Sequence, residues 1–316
     1  MKKWLNRLSV AALVLATAGI GRADEPVTLR YKMNPEKPSI YKSVHTTEQT
    51  QKVSGQEIKT TMTKTDIAEH RLDRIDEKGN LVLTTENKRL KIKVKIDPVG
   101  EFEYDSQASE QETGTVLSAA LNPVFDLLSG SELKVTLSPR GDVISVEGLK
   151  ELLADVGKDN PIAAGFTGGG SDEAGKMSVA DLFAVFSENP VKPGDTWETT
   201  YEMVLPNLGK AVGKKVFTYD GPDSVGETPT VKLSVVNEME FDLDIDIEAS
   251  KATGKLSISD SSGTIQFDPA AGRIVAMKTS VTMGGELSVD VNGQVLTIDN
   301  ETVQTNEIQL LEKLPE

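Results

Sequence analysis

From Glu238 to Glu248 every second residue is acidic, and Met239, Phe241, Leu243, Ile245 and Ile247 fill the gaps. A helix scatters a period of two around its 3.6-residue turn. A strand sends alternate side chains to opposite faces, so this stretch has to be a strand with one acidic and one apolar face. Arg89, Lys91, Lys93 and Lys95 repeat the arrangement in basic form against Leu90, Ile92, Val94 and Ile96. One face of each strand meets a core and the other meets water, which is the signature of antiparallel sheets.

The rest of the chain agrees with that reading. Residues 40–53 and 56–75 are long and rich in Thr, which suits a pleated, half-wet surface, with Ser54-Gly55 turning between them. Further strands are expected at 81–86, 89–96, 101–105, 132–137 and 142–146, parted by Asp76–Asn80, Asp97–Gly100 and Ser138–Gly141. The last third reads as hairpins, with strands near 196–205, 214–219, 229–249, 255–260, 263–268, 272–283, 286–291 and 294–311. Asn292-Gly293 is a strong two-residue hairpin signal. Links this short force neighbours antiparallel. Three short helices interrupt the strands, over 114–129 with Pro123 inside, 147–156, and 178–187 from an N-capping Ser178. The expected fold is mainly β (α+β), with long twisted antiparallel sheets in a half-barrel or sandwich-like arrangement.

A distant internal duplication is also suggested. Lys37–Tyr41 and Lys192–Trp197 each open a strand series. Leu133–Ile144 and Thr264–Val275 share the order strand, Pro-containing turn, Gly, strand. The expected organisation is therefore 1–23 as a signal peptide, 24–156 as an N-terminal β half, 157–190 as a Gly-rich linker and helix, and 191–316 as a C-terminal β half.

The leader is read from Lys2, Lys3 and Arg7, the apolar run Leu8–Ile20, and the small-residue exit Gly21-Arg22-Ala23, with cleavage expected between Ala23 and Asp24. The run is too short to span a bilayer, and no later stretch is apolar enough to act as a transmembrane anchor. These features predict a periplasmic or secreted protein. Losing residues 1–23 removes four positive charges and no acid, which takes the net charge from −15 to −19. Such a chain repels phosphate backbones, so nucleic acid is not an expected partner. Without a cysteine, stability has to come from core burial.

The tempting motifs carry little chemistry. Asp242–Asp246 starts like a calcium loop, but Ile247 and Thr253 stand where Gly and an acidic ligand are required. Gly170–Met177 nearly spells a phosphate-binding loop, yet Met177 replaces the magnesium-holding hydroxyl. His45 and His70 are the only histidines, both in Thr-rich strand sequence, and are expected to be solvated. No Gly-x-Ser-x-Gly elbow occurs, so no catalytic residue, metal ligand or cofactor is implied. Acidic and basic ladders on neighbouring strands of one sheet would fix register through cross-strand pairs.

Several segments in order resemble a family of exported bacterial β-rich proteins of unknown function. They are Leu29–Met33 followed by Tyr41, Gly55–Ile58, Glu101–Ser106, Val135–Gly141, Val146–Leu149 and Asn189–Trp197. The resemblance implies no activity or site. By analogy of fold, such sheets look like periplasmic half-barrels that hold lipid or lipoprotein tails, with helices 114–129 and 178–187 as a lid. The expectation is an exported non-enzymatic binding or scaffold protein, whose partner is an apolar ligand or an envelope protein. Trp197, Tyr201 and Phe217 are the candidate lining residues, with core packing as their ordinary alternative. The competing readings are a structural envelope protein that binds cations or basic partners through its acidic face, and a hydrolase without a recognisable motif.

Overall fold

A computed structural model describes residues 25–53, 55–153, 176, 179–205, 209–247, 250–291 and 294–315. The expected leader and its Ala23-Asp24 junction lie outside the described residues, as does nearly all of the expected linker and the Gly170–Met177 motif.

Among the described residues, twelve strands form one antiparallel sheet. The first group is β1 (Ser39–Val53), β2 (Gln56–Ile75), β3 (Leu81–Asp97), β4 (Gly100–Asp105), β5 (Glu132–Leu137) and β6 (Val143–Glu147). The second is β7 (Thr196–Leu205), β8 (Gly209–Val225), β9 (Thr228–Ile247), β10 (Ser250–Asp268), β11 (Arg273–Val291) and β12 (Gln294–Leu311). Their order is β6-β5-β3-β2-β1-β12-β11-β10-β9-β8-β7, with β4 beside the far end of β3. The first and last long strands join the two groups, from Ile40 opposite Leu311 to Val53 opposite Ile298.

Several strands that the sequence divides are continuous. The break expected at 87–88 is a bulge within β3, where Ile67 faces Arg89 and Ala68 faces Asn87. Gly284 and Gly285 do not turn the chain out of β11. A Cβ on Gly285 would lie 2.0 Å from the Lys255 carbonyl oxygen, so glycine there permits close strand approach. β10 likewise runs through 261–262, with its register against β9 shifting between Ser257 and Gly263.

The helices depart further from expectation. α1 (Val116–Leu128) is capped by Thr115, whose side chain and backbone exchange hydrogen bonds with Ser118. α2 spans Leu149–Leu153. The helix expected over 178–187 is not formed: Val179 and Ala180 are helical, Asp181–Phe183 is a turn, and 184–187 has no regular structure. Tertiary bonds replace helical ones here, since Ala184 N donates to the Tyr31 hydroxyl and Phe186 N to the Arg140 carbonyl.

The two charge ladders are not neighbours. Five strands separate β3 from β9. Each ladder finds its counter-charges in its own hairpins, because antiparallel pairing is settled locally. Arg89 meets Asp105 at 2.8 Å and Lys91 meets Glu103 at 2.8 Å on β3 and β4. Lys214 of β8 lies 3.4 Å from Glu238, and Lys255 of β10 lies 3.0 Å from Asp242.

The two groups run the same meander. β4 and β5 together pair with β3 as the single β10 pairs with β9. The Pro-containing turn from β5 to β6 corresponds to the one from β10 to β11. The apolar inner faces also correspond: Leu81, Leu83, Val135 and Leu137 in one group match Val231, Leu233, Ile265 and Phe267 in the other, all at most 4% exposed.

Candidate functional site

Two segments cross the inner face at one end of the curled sheet. The first, Val27–Met33, is bonded both ways to Val191, through Val27 N to Val191 O at 2.8 Å and the reverse at 2.9 Å. Its neighbours Tyr31 and Lys32 reach the two matching turns, Tyr31 N donating to Pro139 O and Lys32 N to Gly272 O. The second segment, 179–191, bridges the edge strands. Trp197 of β7 donates its indole N–H to Val185 O at 2.8 Å, and the Arg140 guanidinium, beside β5, donates to Phe186 O at 2.9 Å.

Where the segments meet, aromatic rings fill the concavity. Tyr31 stacks on Phe186 at 5.0 Å and stands edge-on to Phe183 and Phe267. Phe186 lies 4.5 Å from Phe267. Burial pushes the Tyr31 and Tyr41 phenols well above their ordinary pKa, so both stay protonated. The Tyr41 hydroxyl donates to Ile274 O at 2.9 Å.

His70 is buried in this cluster, against the expectation of a solvated histidine. Its Nδ1 lies 3.0 Å from Thr85 Oγ1, and its ring is edge-on to Tyr41 at 5.4 Å. Burial lowers its pKa to about 4, so the imidazole is neutral at pH 7. His70, Tyr31, Tyr41, Leu182, Phe183, Ile274 and Ile308 line a cavity of about 20 Å3. In that measure one water needs roughly 10–15 Å3, so the space suits a single water.

Beyond the plug the inner face turns polar. Gln49 Nε2 donates to Asn300 Oδ1 at 2.8 Å, His45 Nε2 lies 3.2 Å from Thr47 Oγ1, and Lys215 reaches Asp181 of the crossing segment at 2.9 Å. Burial, then the Lys64 charge, lowers the His45 pKa. Further along, the inner positions of β9 and β11 are apolar and only half-buried: Met239, Phe241 and Leu243, then Met283, Leu287 and Val289. On the opposite side of these strands Glu238, Glu240, Asp242 and Asp244 are exposed. A row of carboxylates on that face favours contact with water over contact with lipid. No helix among the described residues is long and apolar enough to cross a membrane.

The structure brings two of the three expected lining residues together. Trp197 stacks on Phe217 at 5.5 Å and an interplanar angle of 11°, and Phe217 is 2% exposed. Tyr201 stands four residues further along β7, its hydroxyl donating to Asn237 Oδ1 at 3.1 Å. The sequence reading missed the plug itself. Its signal was the alternation of Leu29, Tyr31 and Met33 with Arg30 and Lys32, in a segment preceding the first strand.

Residues 78–303 match the model of a family described as "Family of unknown function (DUF6263)". No curated protein matches the chain. Among solved structures, the β domain of the Bordetella autotransporter BrkA is 7% identical, with 86% of this chain and 100% of that one covered at a TM-score of 0.22. DynF from the dynemicin biosynthesis pathway of Micromonospora chersina is 10% identical, with 93% and 94% covered at 0.20. OccK7 of Pseudomonas aeruginosa is 7% identical, with 87% and 100% covered at 0.22. Likeness at that level carries no inference about role.

Proposed function

The chain belongs to the family of unknown function DUF6263, so its role has to come from its geometry, and we propose that it is an exported, non-enzymatic binding protein that holds an apolar partner in the open half of its concave face. The observation that carries this reading is the half-buried apolar row of β9 and β11, continuous with a core and, among the described residues, without a helix like α1 across it, on strands whose other face is charged. Large apolar side chains grouped on a concave surface favour a partner that takes them out of water. The leader expected over 1–23 supports a role in the periplasm or outside the cell.

Cation binding through the acidic ladder has less support, because Lys214, Lys255 and Lys251 sit against Glu238, Asp242 and Asp244. For hydrolysis, His70 borders a space suited to one water.

Native mass spectrometry of the mature protein, purified gently from its own envelope fraction, tests the reading. A bound mass that is absent from a Phe241→Asp variant is expected. A wild-type protein that carries no added mass and captures none from the envelope extract would overturn it.

A further inference from the structure

The matching meanders differ at one place. In the first, the inner face of β3 and β4 is covered by α1: Leu90, Ile92, Val94, Phe102 and Tyr104 are at most 3% exposed, and they pack with Leu121, Val124 and Phe125. α1 enters the chain between β4 and β5, the two strands that share β3 as partner. In the second meander β10 fills both places, and its register against β9 breaks between Ser257 and Gly263, at the level where the first inserts its helix. The counterparts of Leu90, Ile92 and Val94 are Met239, Phe241 and Leu243, and these stay half-buried. The strand pair and its charged outer face are repeated, with Leu256 opposite Phe241 where Tyr104 is opposite Ile92, and Gly254 opposite Leu243 where Phe102 is opposite Val94; β10 passes directly from one part to the other, and no helix among the described residues takes the place of α1 there.

We infer that the inner face of β9 and β10 is a groove for an amphipathic helix of a partner protein, one that presents an apolar stripe like Leu117, Leu121, Val124 and Leu128 of α1. This rests on the open half being the binding site, and it names the partner's chemistry. Helix-in-groove recognition needs apolar anchors at helical spacing against a preformed apolar surface. Two strands about 4.8 Å apart, flanked by the neighbouring strands, offer the width that a helix of about 10 Å diameter covers. The fold itself supplies the worked case, since α1 seals the equivalent surface of the same sheet.

The test uses the mature protein and two fluorescent probes: a labelled peptide of residues 113–130 of this chain, and a dansylated fatty acid. The peptide is expected to bind saturably and to gain helical circular dichroism. Phe241→Asp should weaken it at least about tenfold, as should Leu243→Asp, while Glu240→Lys on the opposite face leaves it unchanged. Both aspartate variants replace half-buried side chains, and their melting curves show whether they fold. Peptide binding that ignores both variants overturns the inference. Fatty acid binding that depends on Phe241, without peptide binding, overturns the helix and leaves the apolar reading standing. Failure of both probes overturns the two together.

Discussion

The hairpin of β3 and β4 and the hairpin of β9 and β10 are written in the same pattern and finished differently. Both alternate apolar with charged residues, and both balance the charges from strands beside them. In the first, α1 removes the apolar row from water almost completely; in the second, the row is half-covered. Alternation therefore decides which face turns inward. It says nothing about what lies on that face, which depends on a helix placed elsewhere in the chain.

The strongest way to break the comparison is to remove what joins its two sides. Phe186→Ala deletes a fully buried ring between Tyr31 and Phe267 and is expected to cost about 3–5 kcal/mol in urea unfolding. A cost below about 1 kcal/mol would mean that the plug does not hold the halves together. Next comes the contrast itself. Leu121→Ala, on the buried face of α1, should cost about 2–5 kcal/mol, whereas Phe241→Ala in the purified protein should cost about 1 kcal/mol, since part of its area is already wet. Equal costs would erase the distinction between covered and open rows.

Acid gives a third test, confined to the plug. The pKa of His70 lies near 4 in the folded chain and near 6.5 when unfolded. Above pH 6.5 neither state binds the proton and stability is complete. As the pH falls from 6.5 to 4 the unfolded state gains the proton first, so stability is lost across that window, on the order of 3 kcal/mol in all. His70→Gln should flatten this part of the stability profile, and an unaltered slope would remove His70 as its source. The smallest effects belong to the ladders. Arg89 grips Asp105 through two nitrogens, at 3.2 and 2.8 Å, in a partly shielded site, so Arg89→Ala should cost about 1 kcal/mol. Lys214→Ala, at a more exposed and longer pair, should fall nearer zero by thermal melting.

Much of the sheet is legible in the sequence because it is written locally. The outer row Glu238 to Asp244, the inner row Met239 to Leu243, and the tight links between strands follow from a period of two and from turn residues. Strand interruptions were less legible, since Gly284-Gly285 reads equally as a turn or as a close crossing of strands. The plug was illegible for a different reason. Phe183 and Phe186 follow Ser178 with helical spacing, and only the distant Tyr31 and Arg140, which take the backbone N–H groups of Ala184 and Phe186, draw the segment out of a helix. His70 looks wet among threonines because the rings that bury it come from Tyr41 and from Phe183, over a hundred residues away.

The closure of β1 on β12 has a consequence in time. Ile40 is made well before its partner Leu311, and Val27–Met33 likewise waits for Pro139, Val191 and Gly272. Pairings this distant in sequence form slowly, because the chain between them must be ordered before they contribute. A nascent chain can assemble β1, β2 and β3 locally, yet it has no means of locking them until the final strand is free. Closing the sheet therefore waits for the synthesis of β12.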